Sequence, residues 1–255
     1  MATSRPVKTP RTLAIDIGGT GLKASVLDHT GAMMADRVRI ETEYPCPPDD
    51  MVSRLVTLTK PLPAYDRISV GFPGVVRGGL ILSAPHFVTK AGPGTKVVPA
   101  LVKAWNRYDL SGALLTDLHK PVRTINDADM QGLDVIKGDG LELVVTLGTG
   151  VGTAVFVNGR LGPRIELSHH EFHDGEDYNT YLGDHALKTV GKKKWNRRVQ
   201  RLIATLDALF FPDHMFIGGG NNRHITGTLD SHITIIDPNA GILGGLKLWD
   251  LAEYS

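Results

Sequence analysis

The chain has 255 residues, with 28 basic and 27 acidic side chains and a formal net charge of +1. This balance excludes a global field that would draw the protein to nucleic acid or to an anionic membrane. A single cysteine, Cys46, excludes an internal disulfide and a thiolate metal cluster and predicts a cytoplasmic protein, as does the lack of an apolar run near the ~20 residues that span a bilayer.

After residues 1–11, which have no apolar signal-peptide core and are expected to form a disordered tail, strands and helices alternate along the chain. In the first half, strands are predicted over 13–17, 23–27, 33–40, 67–72 and 122–125, and helices over 49–59, 100–107 and 110–118. In the second half, strands are predicted over 141–147, 153–157, 214–217 and 233–236, and helices over 128–136, 194–211 and 242–251. Each half opens with a strand, a Gly/Thr turn and a hairpin, and the alternation predicts an α/β fold.

The Gly/Thr turns at 18–20 and 148–150 carry the first functional signal. Glycine lets backbone N–H groups close on phosphate oxygens, and a threonine hydroxyl adds a donor. Either turn alone is as typical of a hairpin that needs positive φ, but two turns at equivalent points of the halves favour phosphate binding. Asp16, at the end of the preceding strand, could hold Mg²⁺ through water. No Walker loop and no Rossmann glycine motif occurs in the sequence.

Asn126 and Asp127 stand where another predicted strand ends. A carboxylate there could orient a hydroxyl and accept its proton as a phosphoryl group is transferred. The same pair is also typical of a helix N-cap, and both roles can hold, because capping can fix a catalytic carboxylate in place. Asp129 is a competing carboxylate, but in a helix it would face elsewhere.

Six motifs, in family order between residues 13 and 245, resemble those of the ROK family of sugar kinases, within the actin/hexokinase superfamily. They are DIGGT followed by Lys23, TINDAD at 124–129, LGTGVG at 147–152, ELSH at 166–169, GGG at 218–220 and NAGILG at 239–244. The short chain and the KKKWNRR run at 192–198 are most similar to the polyphosphate glucokinase branch.

The resemblance implies a two-lobed actin-like (ribonuclease-H-like) α/β ATPase fold with the active site in the inter-lobe cleft. The lobes would cover residues 11–127 and 128–240, with the C-terminal helix, 241–255, packed back on the first. The implied reaction transfers a phosphoryl group from polyphosphate and/or ATP to a hexose, with glucose giving glucose 6-phosphate. Alternatives are a kinase for another sugar, a non-catalytic sugar-binding regulator and an actin-like filament protein. A regulator would need a DNA-binding domain, for which ten residues before the first strand are too few.

The resemblance also implies which residues act. The catalytic base would be Asp127, and the sugar would be bound by Asn126, Asp127, Glu166, His169 and His86, the last standing where these kinases commonly have an asparagine. The phosphate donor would be bound by Asp16, Gly18, Gly19, Thr20, Lys23, Gly148, Thr149, Gly150, Gly218, Gly219 and Gly220, and Asp16 would position Mg²⁺. Because the family's cysteine-rich zinc segment is absent, no structural zinc is expected, and something else must hold Glu166 and His169.

Two further clusters allow more than one interpretation. His169, His170 and His173 could supply part of a zinc site, but a polar surface loop with one sugar-binding histidine is favoured. The basic run comprises Lys192, Lys193, Lys194, Arg197, Arg198 and Arg201, and it is either a solvated helix face or a polyphosphate track. Expected partners are therefore a small sugar and polyphosphate, with no nucleic acid or membrane, and the resemblance implies a homodimer.

Overall fold

The structure is a computed structural model that describes residues 9–237 and 240–251. Most of the tail predicted over 1–11, Asn239 of the sixth motif, and the end of the helix predicted over 241–255 lie outside these ranges. The described chain contains two five-stranded sheets, two small two-stranded sheets and helices.

The first sheet has the strand order β3-β2-β1-β4-β7. Its half of the chain contains β1 Thr12–Ile17, β2 Leu22–Leu27, β3 Val38–Ile40, β4 Arg67–Phe72, β5 Val76–Arg77, β6 Leu80–Ile81 and β7 Val122–Asn126, with helices α1 Pro48–Thr59, α2 Pro99–Trp105 and α3 Leu110–Leu118. Strands β1, β4 and β7 run parallel, β2 and β3 are antiparallel additions, and β5 and β6 form a separate hairpin.

The second sheet repeats this arrangement in the order β10-β9-β8-β13-β14. Its half contains β8 Leu141–Leu147, β9 Val151–Val157, β10 Arg160–Leu161, β11 Glu171–His173, β12 Glu176–Asp177, β13 His214–Gly218 and β14 Ile233–Ile235, with helices α4 Asp127–Val135, α5 Tyr178–Leu182, α6 Asp184–Phe210 and α7 Ala240–Lys247. Again three parallel strands carry two antiparallel ones. The division into lobes at residues 127 and 128 stays a prediction.

Three predicted elements were wrong in extent. The helix predicted over 242–251 is α-helical only from Ala240 to Lys247 and is followed by a 3₁₀ helix over Leu248–Asp250. The strand predicted over 33–40 is regular only over β3, because the chain bends after Met33, which makes an isolated bridge to Leu27. The helix predicted over 194–211 starts instead at Asp184 and is kinked at Gly191, whose φ of 75° is not helical. Helix α5 and the β11–β12 hairpin were not predicted, because segments this short carry no clear periodicity.

Helices α4 and α7 pack against each other between the two sheets. Gly244 permits this approach, since a Cβ there would lie 1.7 Å from the carbonyl oxygen of Met130 in α4. On the second sheet's side, a Cβ on Gly132 would meet the ring of Phe156 at 2.4 Å. On the first sheet's side, the Ser69 hydroxyl donates to the carbonyl oxygen of residue 245 at 2.6 Å. The helix pair therefore joins the sheets through close backbone contact.

The three tryptophans lie in different parts of the molecule. Trp105 is buried in the core of the first half, and Trp195 is buried in the core of the second. Trp249, in the short 3₁₀ helix after α7, makes cation–π contacts with Arg67 and Arg123, whose guanidinium carbons are 5.0 and 4.5 Å from its ring centroid. In residues 9–237 and 240–251, no helix is both long and apolar enough to cross a bilayer.

We expect Gly244→Ala to lower the free energy of unfolding by roughly 2–4 kcal/mol, because the new methyl group would overlap a backbone carbonyl that cannot rotate away. Urea unfolding followed by circular dichroism measures this. Gly241→Ala is the matched control in the same helix, since its Cβ would meet its nearest neighbour at an ordinary 3.5 Å. Equal midpoints for the two variants would contradict the close packing of α4 and α7.

Candidate active site

A cleft with a volume of about 550 Å³ opens where the loops after β1 and β8 meet. Both Gly/Thr turns, residues 18–20 and 148–150, line it, as do Asp16, Asp127 and Glu166. The structure thus brings together the turns and carboxylates that are far apart in the sequence. The duplicated topology is the reason, because it places equivalent hairpin turns opposite each other.

Each phosphate turn is closed by its own backbone. The N–H of Gly18 donates to the carbonyl oxygen of Gly21 at 3.0 Å, and the N–H of Gly148 donates to that of Gly150 at 2.9 Å. Past β13, the glycine turn lies against the second of these turns, where a Cβ on Gly219 would meet the backbone of residue 147 at 2.3 Å. Gly219 and Gly220 line the cleft, whereas Gly218 ends β13.

Asp16 enters the cleft from β1, and its Oδ2 accepts a hydrogen bond from Lys23 Nζ at 2.8 Å. Within the described ranges, no cluster of three His, Cys, Asp or Glu side chains could hold a metal ion. A cation at Asp16 would therefore take most of its ligands from water and from a bound phosphate. That is the usual coordination of Mg²⁺, which keeps several waters and binds one or two carboxylates.

The two roles considered for the Asn-Asp pair, helix N-cap and cleft carboxylate, belong to different residues. Asn126 is the N-cap of α4, and its Oδ1 accepts from the backbone N–H groups of Ala128 and Asp129 at 2.8 and 3.2 Å. Its Nδ2 donates to two backbone carbonyls around the end of β4, including that of Gly74 at 3.0 Å. Because these bonds occupy the buried amide, the cap is made by Asn126, and the carboxylate of Asp127 lines the cleft.

Burial raises the pKa of Asp127 to about 7. The nearby positive charge of Arg164 opposes this rise, whereas the carboxylates of Asp16 and Glu166 add to it. Such a group is partly ionised at neutral pH and can both take up and release a proton.

Arg164 is a site residue that the sequence analysis missed. Its Nε and Nη2 donate to Glu166 Oε1 at 2.9 and 2.7 Å, and its Nη1 donates to Asp129 Oδ1 and the Thr153 carbonyl oxygen, both at 2.8 Å. The guanidinium group is largely buried, and these hydrogen bonds hold the carboxylate of Glu166 in place. Asp129 faces this arginine. The only sequence signal was the i, i+2 spacing of Arg164 and Glu166, which places both on one face of an extended segment.

The predicted sugar-binding histidines differ in position. His86 lines the cleft against the first phosphate turn, where a Cβ on Gly19 would lie 3.2 Å from its Cγ. Burial, with a smaller effect from the nearby His169, lowers the pKa of His86 to about 4, so it is neutral at pH 7. His169 is exposed at the end of the 3₁₀ helix Leu167–His169, and His173 Nε2 lies 3.3 Å from Asp174 Oδ2.

The basic run on α6 does not line the cleft. The three lysines at 192–194 and Arg197 are exposed, but the guanidinium of Arg198 stacks 4.0 Å from the ring centroid of Tyr181, and its Nη1 donates to the Tyr181 carbonyl oxygen at 2.7 Å. Arg201 Nη1 reaches the Tyr181 hydroxyl at 3.3 Å. Two of the arginines therefore pack α5 against α6, and the polyphosphate track stays a prediction.

Four other basic side chains, which the sequence analysis did not single out, do line the cleft. They are Arg37, Arg39, Lys188 and Arg223. Lys188 lies on α6 before the Gly191 kink, which separates it from the predicted run.

A family model of the ROK family matches residues 12–164. Polyphosphate glucokinase from Mycobacterium tuberculosis (strain CDC 1551 / Oshkosh) is 30% identical over 222 residues, which cover 82% of this chain and 77% of the relative. The crystal structure of inorganic polyphosphate/ATP-glucomannokinase from Arthrobacter sp. strain KM is 28% identical with a TM-score of 0.79, covering 93% of this chain and 97% of that one. A Streptomyces griseus ROK family glucokinase with glucose and AMPPNP has a TM-score of 0.71 at 18% identity, covering 93% and 98%. These likenesses confirm the predicted fold class.

We expect Asp127→Asn to stabilise the protein in a pH-dependent way. A folded-state pKa of about 7 lies above the ordinary value near 3.9, so the native state binds more protons than the unfolded state between pH 4 and 7, and the contribution of Asp127 to stability falls as pH rises through that window. The variant should match the wild type near pH 4 and exceed it by roughly 2–4 kcal/mol above pH 7.

Urea unfolding at pH 4, 6 and 8 measures this difference. Asp117→Asn, at an exposed position of α3, is the control for the loss of one carboxylate. A stability difference that does not change with pH would contradict the raised pKa of Asp127.

Proposed function

The chain belongs to the ROK family, and from this premise we propose that it is a sugar kinase that transfers a phosphoryl group from polyphosphate and/or ATP to glucose, giving glucose 6-phosphate. The observation that carries the proposal is the carboxylate of Asp127, with a pKa of about 7, in one cleft with both phosphate turns. The relatives named polyphosphate glucokinase and polyphosphate/ATP-glucomannokinase support the donor and the acceptor.

In the proposed reaction, the oxygen of the sugar 6-hydroxyl attacks the terminal phosphorus of the donor while Asp127 accepts the proton of that hydroxyl. The bond between that phosphorus and the bridging oxygen breaks, and the shortened donor leaves with the electron pair. A base with a pKa near the working pH suits this step, because it is ionised before transfer and can release the proton afterwards. Closure of the cleft would exclude water, which otherwise competes as the acceptor.

We assign the sugar side of the cleft to Glu166 and the two histidines of the sequence prediction, His86 and His169. The carboxylate of Glu166 can accept from two neighbouring hydroxyls while Arg164 holds it from behind. Neutral His86 supplies one donor and one acceptor, but not in the planar arrangement of an amide. A hexose with a different configuration is therefore the alternative acceptor. The sugar contacts predicted for Asn126 would require its amide to exchange one of the four hydrogen bonds that it makes within the protein.

We assign the donor side to the two phosphate turns, with Asp16 and Lys23 beside the first. Backbone N–H groups of both turns would hold the terminal phosphates. Mg²⁺, held by Asp16 through water, would neutralise charge on the transferred group. The remaining donor residues, Gly219 and Gly220, lie where a nucleotide could rest when ATP is the donor.

We also propose a homodimer that works in the cytoplasm. The one cysteine is buried and burial raises its pKa to about 11, which suits a reducing compartment in which this thiol takes no part in chemistry. Light scattering after size exclusion would test the dimer.

The test of the function is a matrix of acceptors and donors. The purified protein is assayed with glucose, mannose, allose and fructose, each with ATP and with polyphosphate, and the sugar phosphate is measured directly. Glucose should be the best acceptor. Sugar binding without transfer from either donor would overturn the proposal and favour a regulator of the same fold.

We expect Asp127→Asn to lower kcat by about 10²–10⁴-fold, because the amide cannot accept the hydroxyl proton. Glucose affinity, measured by calorimetry, should change little, since an amide still accepts a hydrogen bond. If the variant retained more than about a tenth of the wild-type kcat, Asp127 would not be the base.

Arg164→Met keeps the aliphatic stem but removes the guanidinium group. We expect the glucose KM to rise about 10- to 100-fold, as hydrogen bonds to a charged group are lost, while the donor KM stays unchanged. The acidic limb of the pH profile of kcat/KM should also move to higher pH, because the positive charge that lowers the pKa of Asp127 is gone.

Arg164→Lys is the matched variant, since it keeps the charge but not the forked geometry. In this variant the acidic limb of the pH profile should return to its wild-type position, while the glucose KM stays raised. If Arg164 had only a structural role, both variants would have a lower melting temperature and an unchanged pH profile of kcat/KM. That result would contradict the positioning role.

A further inference from the structure

Three charged residues form a row across the first sheet beside its phosphate turn. In the strand register, Asp16 of β1 pairs with Lys23 of β2, and Lys23 pairs with Arg39 of β3. Side chains directly opposite in adjacent strands have Cβ atoms about 4.5–5.5 Å apart. The row therefore leads from the centre of the cleft outward to the edge strand.

Arg39 lies directly over the first phosphate turn. A Cβ on Gly21 would be 2.9 Å from the Arg39 Nε, and Arg39 Nη2 is 3.5 Å from the Thr20 carbonyl oxygen. Arg39 and Arg37 are exposed and both line the cleft. The row thus ends at the exposed guanidinium group of Arg39, and Arg37, two residues earlier in the chain, is a second exposed cation at the cleft.

The second half of the molecule shows that the fold does not require these charges. Its equivalent hairpin, β8–β9, has Thr146 opposite Gly152 at the register position that Asp16 and Lys23 occupy in the first. Strand β10 pairs with the far end of β9, so no residue corresponds to Arg39. Charged residues also protect exposed edge strands, but that role does not call for a guanidinium group over a phosphate turn.

The opposite wall of the cleft has two exposed basic side chains, Lys188 and Arg223, which come from separate elements of the fold. Lys188 lies 2.5 Å from Asp184 Oδ2, which also lines the cleft. On α6, Arg198 is engaged with Tyr181. A polyanion that extends from the two turns would therefore meet its most continuous positive surface on the first sheet.

We propose that a polyphosphate chain, beyond the terminal phosphates held by the turns, leaves the cleft over Lys23, Arg39 and Arg37, in that order. Guanidinium groups suit this task, because each can donate two hydrogen bonds to phosphate oxygens and tolerates sliding of a chain with identical units. This inference rests on the proposed function, since it needs a polyphosphate donor. ATP has only three phosphates and would not extend along the path.

The test compares the Arg37→Gln and Arg39→Gln variants, alone and combined, with Lys60→Gln/Lys103→Gln, which removes two exposed cations elsewhere. Steady-state kinetics are measured with long-chain polyphosphate and with ATP over a series of KCl concentrations. The Arg37/Arg39 double variant should lower kcat/KM for polyphosphate about 5- to 20-fold, and Arg37→Gln alone should leave kcat/KM for ATP within about twofold. Its salt dependence, log KM against log [KCl], should flatten by about 1.5, because two phosphate contacts no longer release counterions.

Other outcomes separate this inference from the function on which it rests. An unchanged polyphosphate KM in the Arg37/Arg39 double variant would overturn the path. A loss confined to a Lys193→Gln/Arg197→Gln variant would also overturn it, because it would place the polyphosphate on α6. An equal loss with ATP in Arg37→Gln would also overturn it. If the wild type used ATP but neither bound nor used polyphosphate, the path would fail while the kinase stood. Failure with both donors would refute the proposed function itself.

Discussion

Helices α4 and α7 approach each other so closely that a backbone carbonyl of α4 occupies the space in which Gly244 would carry a side chain. This contact lies between the two sheets and leaves no room for a side chain at position 244. The N-terminus of α4 has Asn126 as its cap and Asp127 as its first residue, so the same contact fixes the candidate base in the cleft. Once α4 is placed, the turns after β1 and β8 are held on either side of Asp127.

Opposing charges act on Asp127 within this rigid frame. Desolvation and the carboxylates of Asp16 and Glu166 favour its protonated form, and Arg164 favours the ionised form. The same guanidinium group also satisfies Glu166 and Asp129, so one buried cation serves three carboxylates. A buried cation with partners of this kind is costly to lose, since its removal leaves unpaired charge in a low-dielectric site. In the proposed reaction, acceptor binding by Glu166 and proton transfer by Asp127 would be coupled through the side chain of Arg164.

Features set by neighbouring residues could be predicted from the sequence, whereas features set by distant residues could not. The phosphate turns were recognisable because glycine and threonine follow apolar strands directly, and Asp127 was recognisable because an Asn-Asp pair precedes a helix. Arg164 was missed because its partners include Asp129, 35 residues away in sequence. The contacts of Arg198 could not be predicted for the same kind of reason, since a run of positive residues does not reveal that Tyr181 binds one of them. Likewise, the positions of Arg37 and Arg39 depend on strand register, which composition does not encode.

The placement of the three tryptophans gives the molecule a natural set of optical probes. Trp105 and Trp195 each report on one core, and Trp249, in contact with two guanidinium groups, reports on the docking of the C-terminal segment against the first sheet. Intrinsic fluorescence during unfolding is therefore a sum of three spatially separate signals. If the two halves lose structure at different denaturant concentrations, emission and circular dichroism will not coincide, and single-tryptophan variants will reveal the order in which the parts separate.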